Sequence, residues 1–332
     1  MRVIKWGIIG AGNISTKFAT GFKALENTEI AAIASRDLSK AKQFADRFHI
    51  RKAYGSYEEL ARDPEIDVVY IGTPHTEHRA NSALCIREGK AVLCEKPFTV
   101  NQKESEYLIS LAKEHKVFLM EAMWTKFQPV TKAVKQWIAE GRIGRIKYMN
   151  ITFGFQTEFN PKSRLFDPDL AGGALLDVGV YPISYAIHMA GTLPKKVVSN
   201  AFIGSTGVDE IDTISMLFPD GSIADLSCAV SANTGNDAMI VGEKGKIFIP
   251  KFWSAQSAEV FDAEGRKIDE ISKIFASNGY EYEAEAVNEC LREGKQENDR
   301  IPLQDTQDII GIMDGIRKEW GLTYPCENNR IS

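Results

Sequence analysis

Cysteine and histidine are scarce in this chain of 332 residues, which contains five of each. No two cysteines form a Cys-x-x-Cys pair; they are Cys85, Cys94, Cys228, Cys290 and Cys326. An odd number of scattered cysteines is atypical of a disulfide-stabilised fold and favours free thiols in a reducing cytoplasm. No group of His, Cys and acidic residues has the spacing of a metal site, so the sequence predicts no metal centre.

Long hydrophobic runs and an excess of positive charge are lacking as well. No apolar run approaches the roughly 18 residues that cross a bilayer, so we expect no membrane-spanning segment. The formal net charge of −5 argues against nucleic acid or an acidic membrane as a partner. A strand-like run already begins at Val3, and we expect no signal peptide ahead of it.

A glycine turn near the start has the features of a phosphate-binding turn. The run from Val3 to Gly10 is short, apolar and ended by glycine, as in a buried strand. In Gly10-Ala11-Gly12 the first glycine permits a tight turn, and the second leaves room for a pyrophosphate at the start of a helix over 13–25. The third fingerprint position is Ser15 rather than glycine. A plain turn is the alternative, but a second strand at 29–34 favours dinucleotide binding.

The end of the second strand predicts which dinucleotide is bound. An acid here would bind the ribose 2′-hydroxyl of NAD, but the sequence reads Ser35-Arg36-Asp37, with Lys40 one helical turn on. Ser35 can donate to a phosphate oxygen, while Arg36 and Lys40 can offer positive charge to a 2′-phosphate. Asp37 is expected to cap the helix over 38–48. We therefore predict NADP, with NAD as the second choice; the alternative is that both cations are ordinary surface residues.

Strands and helices continue to alternate up to about residue 123. Apolar runs at 67–72, 91–94 and 117–120 are separated by helical patterns, which predicts an α/β domain with a parallel, doubly wound sheet. Glu95-Lys96-Pro97 follows the run at 91–94. It puts a lysine amine at the carboxyl edge of its strand, the edge where the glycine turn also lies. A dinucleotide and a basic side chain at one crevice predict redox chemistry on a small molecule.

From residue 124 to 332 the pattern is that of a second, α+β domain. Short turns separate strand-like runs, which predicts a large, open, mostly antiparallel sheet. The runs lie at 145–153, 196–202, 211–218, 222–230, 238–241 and 246–249. Two closing helices are predicted near 282–293 and 306–320, and the last can pack back on the first domain. They are too few to cover both faces of the sheet, so we expect a homodimer or homotetramer formed through it.

A helix-like segment over 174–189 carries the candidate acid/base residue. Asp177 and Tyr181 are four residues apart and so share a face of this helix. Oxidation of a secondary alcohol needs a base for the hydroxyl proton, and a lysine ammonium near a phenol favours the basic phenolate form. Lys96 with Tyr181 is a sensible pair, with Asp177 orienting the lysine or binding a substrate hydroxyl. Taken alone, Tyr181 would be a core residue and Asp177 a capping or surface carboxylate.

Aromatic residues near the domain junction are candidates for a substrate wall. They are Trp124, Phe153, Phe155 and Phe159. Such side chains can stack on a sugar or an apolar ring, although aromatics at strand spacing are more often core. Arg164 can hold a polar substrate or pair with an acid. His188 lies seven residues after the tyrosine on the same helical face, as a further base or a core histidine.

Four motifs give the chain a resemblance to a known family. They are Gly10-Ala11-Gly12-Asn13-Ile14, Thr73-Pro74-His75-Thr76-Glu77-His78, Glu95-Lys96-Pro97 and the run from Gly172 to Pro182. With them, essentially the whole chain resembles the glucose–fructose oxidoreductase, inositol dehydrogenase and rhizopine-catabolism (Gfo/Idh/MocA) family. Residues 123–127 and 163–165 look most like its dimeric dihydrodiol dehydrogenase and D-xylose dehydrogenase branch, which usually has Arg where Lys126 stands.

The resemblance implies a Rossmann domain over 1–123, and a substrate-binding and oligomerisation domain over 124–332. It gives Lys96 the place of the family's active-site lysine, with a cis peptide before Pro97, and Tyr181 that of its catalytic tyrosine. It also places Tyr54 as a further contact to a 2′-phosphate. The residues expected at the cofactor are Gly10, Gly12, Asn13, Ile14, Ser35, Arg36, Lys40, Thr73, Pro74, His75, His78, Glu95, Lys96 and Trp124. The residues expected at the substrate are Trp124, Phe155, Arg164 and Asp177.

Together these inferences predict an NAD(P)-dependent dehydrogenase or reductase. It would transfer a hydride between the nicotinamide and a carbinol or carbonyl carbon of a sugar, polyol or dihydrodiol. Two other classes stay open, namely an NAD-dependent glycosidase that acts by transient oxidation and a non-catalytic NAD(P)-sensing regulator. The presence of both Lys96 and Tyr181 argues against the regulator.

Overall fold

A computed structural model describes residues 2–328, which divide into two compact units. The first unit holds the chain up to Trp124 together with Phe275–Ile310. The second holds Thr125–Ile274 and the chain from Gly311 onward. The sequence predicts that 124–332 forms the second domain, with its last helix packing back on the first; in the structure Phe275–Ile310 belongs to the first unit. There Asn288 is fully buried and its Oδ1 accepts a hydrogen bond of 2.9 Å from Trp6 Nε1.

The strands and helices follow the sequence pattern closely. The strands are β1 (Ile4–Ile9), β2 (Thr28–Ala34), β3 (Lys52–Tyr54), β4 (Val68–Ile71), β5 (Ala91–Glu95), β6 (Leu119–Ala122), β7 (Ile146–Gln156), β8 (Lys196–Ile203), β9 (Asp209–Leu217), β10 (Ile223–Ala229), β11 (Ser231–Gly235), β12 (Ala238–Gly242), β13 (Gly245–Ile249), β14 (Ser257–Asp262) and β15 (Lys267–Ser272). The helices are α1 (Asn13–Gly21), α2 (Leu38–Phe48), α3 (Tyr57–Ala61), α4 (His78–Arg87), α5 (Gln102–His115), α6 (Pro129–Ala139), α7 (Val180–Ala190), α8 (Glu281–Arg292), α9 (Leu303–Trp320) and α10 (Pro325–Asn328).

The first unit contains a six-stranded sheet in the order β3-β2-β1-β4-β5-β6, with every pair parallel. Every residue of β4 and β5 is buried, as expected for strands covered on both faces. Because all strands run the same way, their carboxyl ends meet at one edge of the sheet. This strand order is that of the dinucleotide-binding fold, which confirms the predicted Rossmann domain.

The second unit contains a nine-stranded sheet in the order β15-β14-β13-β12-β7-β10-β9-β8, with β11 paired to β7. Only the β10–β7 pair is parallel among its described strands, which confirms the mostly antiparallel sheet. The sequence patterns missed β11, β14 and β15. The strand β15 was missed because most of its residues are charged or polar, which is common in an edge strand.

The segment Pro168–Ala190 is long and apolar enough to cross a membrane, with a mean hydropathy of 1.4 in its best window. It is not an uninterrupted apolar run, because it contains Asp169 and Asp177. Of that window, 94% is buried inside the protein, and a core helix meets the same criteria. A π-helical turn, Leu175–Gly179, precedes α7 in this segment.

All five cysteines are free thiols.

Candidate active site

The glycine turn at the end of β1 has the shape that a diphosphate requires. Gly10 adopts a φ of +99°, and a Cβ there would lie 2.7 Å from the carbonyl oxygen of Gly72, so only glycine fits. A Cβ on Gly12 would meet nothing within 4 Å, so this side of the turn is open. No side chain caps the start of α1 at Asn13. Its first amide groups are therefore suited to an anionic ligand.

Ser15 explains the imperfect glycine fingerprint. Its side chain is fully buried, and a Cβ on Gly72 would lie 2.4 Å from Ser15 Oγ. The third glycine of the fingerprint normally allows close packing of the helix on the sheet. In this chain Gly72, which follows β4 and has no side chain, leaves the space that the Ser15 side chain occupies. The departure from the motif thus leaves the helix-to-sheet packing intact.

The residues expected at the adenosine ribose lie at the end of β2. Ser35 is buried and its Oγ accepts a 3.3 Å hydrogen bond from the amide of Asp37. Arg36 and Lys40 are exposed. Asp37 caps α2 as predicted, accepting a 2.9 Å hydrogen bond from the amide of Ser39. Two exposed cations beside a buried serine are compatible with a 2′-phosphate.

Tyr54 is engaged in a different network from the one expected. Its hydroxyl donates a 2.9 Å hydrogen bond to Asp63 Oδ2. Lys52 Nζ lies 2.8 Å from the same carboxylate oxygen. The Tyr54 hydroxyl therefore fastens β3 to the loop after α3, and its assignment to the 2′-phosphate has no support in these contacts.

The turn that carries Lys96 is held by three buried side chains. The Lys96–Pro97 peptide is cis, as the resemblance implied. Glu95 Oε2 accepts from the amide of Lys96 at 3.2 Å, and Glu121 Oε1 accepts from the amide of Phe98 at 3.2 Å. The third holder is His78, whose Nδ1 lies 2.8 Å from the carbonyl oxygen of Pro97. The lysine is half-buried at the carboxyl end of β5, where the sequence placed it.

His78 links this turn to the Thr73-Pro74 turn after β4. Its Nε2 lies 2.9 Å from the carbonyl oxygen of Thr73, and its ring is fully buried. Burial lowers the pKa of His78, whereas its hydrogen bonds to the carbonyl oxygens of Pro97 and Thr73, which both need an N–H donor, oppose this shift. The His75 ring is half-buried and lies 5.9 Å from that of His78. We expected His78 at the cofactor; its contacts show that it fastens the two turns together.

A cluster of buried carboxyl groups lies beneath the lysine turn. Tyr70 Oη donates a 2.5 Å hydrogen bond to Glu95 Oε1, and burial raises the pKa of Glu95 to about 7. Burial, and then the charges of Glu95 and Glu121, raise the pKa of Glu283 well above its ordinary value. Sequence reasoning missed Tyr70, Glu121 and Glu283 as site residues, because each lies alone in an ordinary strand or helix pattern.

Trp124 is almost completely buried in the first unit. Its ring stacks on Tyr280, with centroids 4.5 Å apart and planes within 5°. A Cβ on Gly279, which has a φ of +98°, would lie 2.5 Å from the indole. Trp124 therefore packs against the segment just before α8. The sequence patterns did not predict this contact.

Asp177 and Tyr181 lie at the start of the buried helical segment of the second unit. Asp177 is in the π-helical turn and Tyr181 in the first turn of α7, and both side chains are buried. Arg164 Nη1 donates a 2.6 Å hydrogen bond to Asp177 Oδ1. Of the two alternatives for Arg164, the structure thus shows pairing with an acid. Its guanidinium is 58% exposed, so this pair faces outward from the unit.

An aromatic cavity of about 370 Å³ lies in the second unit, and Phe153 in its lining contacts Tyr181. The Phe153 ring contacts the Tyr181 ring edge-on at 5.3 Å and stacks on Trp253 at 5.0 Å. The cavity is lined by Phe153, Phe155, Asn236, Lys251, Trp253, Ser254 and Gln256. Phe159 is outside this lining; it is exposed and packs on Phe166. Trp253 was missed because it stands in no recognisable motif.

His188 is a poor candidate for the catalytic base. Burial, followed by the charges of Lys126 and Lys135, lowers its pKa to about 3. Such an imidazole has little affinity for a proton at neutral pH. Among residues 2–328, no group of three His, Cys, Asp or Glu side chains could hold a metal ion.

Comparison with known proteins agrees with these observations. The family model for GFO_IDH_MocA, described as "Oxidoreductase family, NAD-binding Rossmann fold", matches residues 4–123. The GFO/IDH/MocA C-terminal domain model matches residues 131–248. The trans-1,2-dihydrobenzene-1,2-diol dehydrogenase of Mus musculus is 37% identical over 330 residues, covering 97% of this chain and 98% of the relative. That of Homo sapiens is 36% identical over 330 residues, with 97% and 98% covered.

Solved structures show the same fold. An aldose-aldose oxidoreductase from Caulobacter crescentus superposes with a TM-score of 0.88 at 24% identity, covering 96% of this chain and 97% of the other. A 3-ketoreductase from Actinomadura kijaniata, crystallised with NADP, gives a TM-score of 0.84 at 24% identity, with 95% and 97% covered. The family and branch predicted from the motifs are confirmed. The chain therefore belongs to the GFO_IDH_MocA family and is an NAD-binding oxidoreductase.

Proposed function

We propose that the protein is an NADP-dependent dehydrogenase that oxidises a secondary alcohol of a ring-bound vicinal diol. The observation that carries this proposal is the position of Phe153, whose ring contacts both Tyr181 and the cavity tryptophan Trp253. An apolar ring fits such an aromatic wall. Relatives that are 36–38% identical over nearly the whole chain are named for the oxidation of a cyclic diol, which supports this substrate class.

The cofactor would lie along the edge formed by the carboxyl ends of β1, β2, β4 and β5. Gly10 and Gly12 admit the diphosphate, and Arg36 and Lys40 offer charge to a 2′-phosphate. The open side of Gly12 and the uncapped start of α1 support this fit. When bound, the nicotinamide supplies the hydride acceptor.

The remaining chemistry falls to side chains of the protein. The Tyr181 phenolic oxygen takes the hydroxyl proton of the substrate, and the Lys96 ammonium favours the phenolate that does so. The low pKa of His188 removes the nearest competing base on α7 and supports this assignment. Asp177, held by Arg164, accepts a hydrogen bond from the second hydroxyl of the diol.

The test is a substrate screen with a matched pair of variants. The purified protein is given trans-1,2-dihydrobenzene-1,2-diol, D-xylose, myo-inositol and an acyclic 1,2-diol, each with NADP and with NAD, while reduction of the cofactor is followed. We expect the cyclic diol with NADP to give the highest kcat/KM. Trp253→Ala should lower kcat/KM for the cyclic diol by roughly tenfold but leave the acyclic diol nearly unchanged, since a stacked aromatic contact contributes about 0.5–1.5 kcal/mol.

Two outcomes would overturn the proposal. Release of sugar from aryl glycosides with no net reduction of the cofactor would indicate a glycosidase instead. Tight NADP binding with no turnover of any alcohol would indicate a regulator. Trp137→Ala, a buried tryptophan on α6 outside the cavity lining, is the control for a general loss of stability.

We also propose a cytoplasmic location and a homodimer formed through the second sheet. The five free thiols support a reducing compartment. Apolar side chains exposed on the strands of this sheet support self-association, since such a surface is more stable when covered. They are Val198, Phe202, Ile203, Ile223 and Ile268.

A further inference from the structure

We propose that Asp209 and Asp212 share one buried proton, and that this carboxyl pair positions the π-helical turn bearing Asp177. Both residues lie on β9 and are fully buried. Neither belongs to any motif of the sequence. Their role in catalysis rests on the function proposed for Asp177 and Tyr181, but their role in holding the turn can be tested without it.

Each carboxyl group makes one hydrogen bond to its surroundings through Oδ2. Asp209 Oδ2 accepts from the amide of Leu175, the first residue of the turn, at 2.5 Å. Asp212 Oδ2 accepts from the thiol of Cys228 on β10 at 3.2 Å. These two contacts connect β9 to the start of the turn and to the neighbouring strand.

The second oxygen of each group, Oδ1, is buried and has no donor within reach among the described residues. The two carboxyl groups also interact directly with each other. Two ionised carboxylates cannot bond to one another, because neither has a proton to donate. One proton on Asp212 Oδ1, donated to Asp209 Oδ1, gives all four oxygens a hydrogen bond. Two buried carboxyl groups that interact directly characteristically keep one proton between them.

The pair also limits the turn sterically at both ends. A Cβ on Gly173, which has a φ of +121°, would lie 2.2 Å from Asp209 Oδ1. A Cβ on Gly179, the last residue of the turn, would lie 2.8 Å from Cys228 Sγ. The backbone thus packs directly on Asp209 at the start of the turn. At its end the backbone packs on Cys228, which is hydrogen-bonded to Asp212. A π-helical turn is rare within a helix and needs such support, and it sets the rotation of Asp177 relative to α7.

The charged and titratable groups around the pair are consistent with a single negative charge. Burial raises the pKa of Asp209, and the charge of Arg317 on α9 opposes this shift only in part, since this arginine is already paired with Asp314 and Glu327. Tyr324 donates a 2.7 Å hydrogen bond to the carbonyl oxygen of Gly172 and carries no positive charge. Burial and the charge of Asp209 raise the pKa of Asp212 well above its ordinary value. One arginine shared among several acids does not offset a second buried charge.

The experiment compares three variants in the full-length protein. Asp212→Asn replaces the shared proton by an amide N–H, Asp212→Ala removes the donor, and Asp209→Ala removes the acceptor for the Leu175 amide. Hydrogen–deuterium exchange of residues 172–181, corrected for intrinsic exchange, is measured at neutral and alkaline pH. The peptide that covers β12 reports any general loss of stability. Where alcohol oxidation is found, kcat, KM and the dissociation constant of NADP are measured as well.

We expect Asp212→Asn to keep wild-type protection of 172–181, and to keep it at alkaline pH where the wild type loses it. Both alanine variants should expose this segment selectively and lower kcat/KM by roughly 10- to 100-fold, the size expected when a reacting group is misplaced. NADP affinity should stay unchanged. Asn behaving like Ala at position 212, or unchanged protection in Asp209→Ala, would overturn the proposal. Should Asp209→Ala fail to fold, the contrast between the two Asp212 variants decides. If the wild type oxidises no alcohol, the proposed function is refuted. The hydrogen–deuterium exchange result still tests the carboxyl pair, because it does not depend on activity.

Discussion

Tyr70 Oη donates a hydrogen bond of 2.5 Å to Glu95 Oε1 in the core of the first unit, and Glu95 directly precedes Lys96. Burial, with a smaller contribution from the charge of Glu121, raises the pKa of Glu95 to about 7. The hydrogen bond from Tyr70 and the charge of Lys96 oppose this shift. The carboxyl group beneath the lysine turn therefore changes its charge close to neutral pH.

Glu95→Gln should make the stability of the protein less dependent on pH. The pKa of Glu95 is raised from 4.5 to about 7 on folding, so the folded chain retains a proton that the unfolded chain loses. The resulting stabilisation is complete below about 4.5 and is lost as the pH rises through about 7. Between these two pH values the free energy of unfolding falls by up to ~1.4 kcal/mol per pH unit. Urea unfolding of wild type, Glu95→Gln and the exposed control Glu114→Gln measures it; a wild-type slope in Glu95→Gln would contradict the prediction.

The fold was predictable because its strands and turns have local signatures. β1, β4 and β5 are continuous apolar runs ended by glycine or a turn, and the alternation with helices fixes a parallel sheet. The placement of α8 could not be predicted in this way. On its buried face Asn288 contacts Trp6 of β1, 282 residues earlier in the chain, and an amphipathic pattern does not say which sheet a helix covers.

The candidate site was predictable only where function imposes a motif. Gly10, Lys96 and Tyr181 stand in such motifs. Glu283, Asp209 and Asp212 do not, since a single acid in an ordinary helix or strand reads as a solvent-exposed residue. Their burial follows from long-range packing. The π-helical turn was also missed, because its backbone depends on contacts with β9 and β10 rather than on its own sequence.

Arg36→Ala should weaken NADP binding far more than NAD binding. Loss of a charge-assisted contact to the 2′-phosphate costs about 1.5–3 kcal/mol, which is roughly 10- to 100-fold in the dissociation constant. NAD has no such phosphate, so its dissociation constant should hardly change. Lys42→Ala, an exposed cation on the helix α2 that follows Arg36, is the matched control. Titration by fluorescence or calorimetry decides, and equal effects on both cofactors would show that Arg36 is an ordinary surface cation.

Phe202→Asp should dissociate the proposed dimer. Phe202 is 58% exposed on β8, and a carboxylate placed in an interface would be buried without a partner. That penalty amounts to a few kcal/mol, or roughly 100-fold or more in the dimer dissociation constant. Phe159→Asp changes an aromatic residue outside the sheets that is 50% exposed, and it should leave the oligomer intact. Sedimentation equilibrium at micromolar concentration checks both, and a monomeric wild type would refute the dimer itself.

Tyr181→Phe should abolish most of the turnover while NADP still binds. The substitution removes the acid/base hydroxyl but keeps the ring that packs on Phe153, and a general base typically contributes roughly 10²–10⁴-fold in rate. Lys96→Met should also lower kcat and shift the pH profile of the remaining activity upward, because the phenol would lose the positive charge that the proposed mechanism assigns to it. The two losses should combine less than additively if the residues act as a unit. Tyr185→Phe, one turn further along α7, should keep near-normal kcat. Near-normal turnover in Tyr181→Phe would remove the tyrosine from the mechanism and make Asp177 the next base to examine.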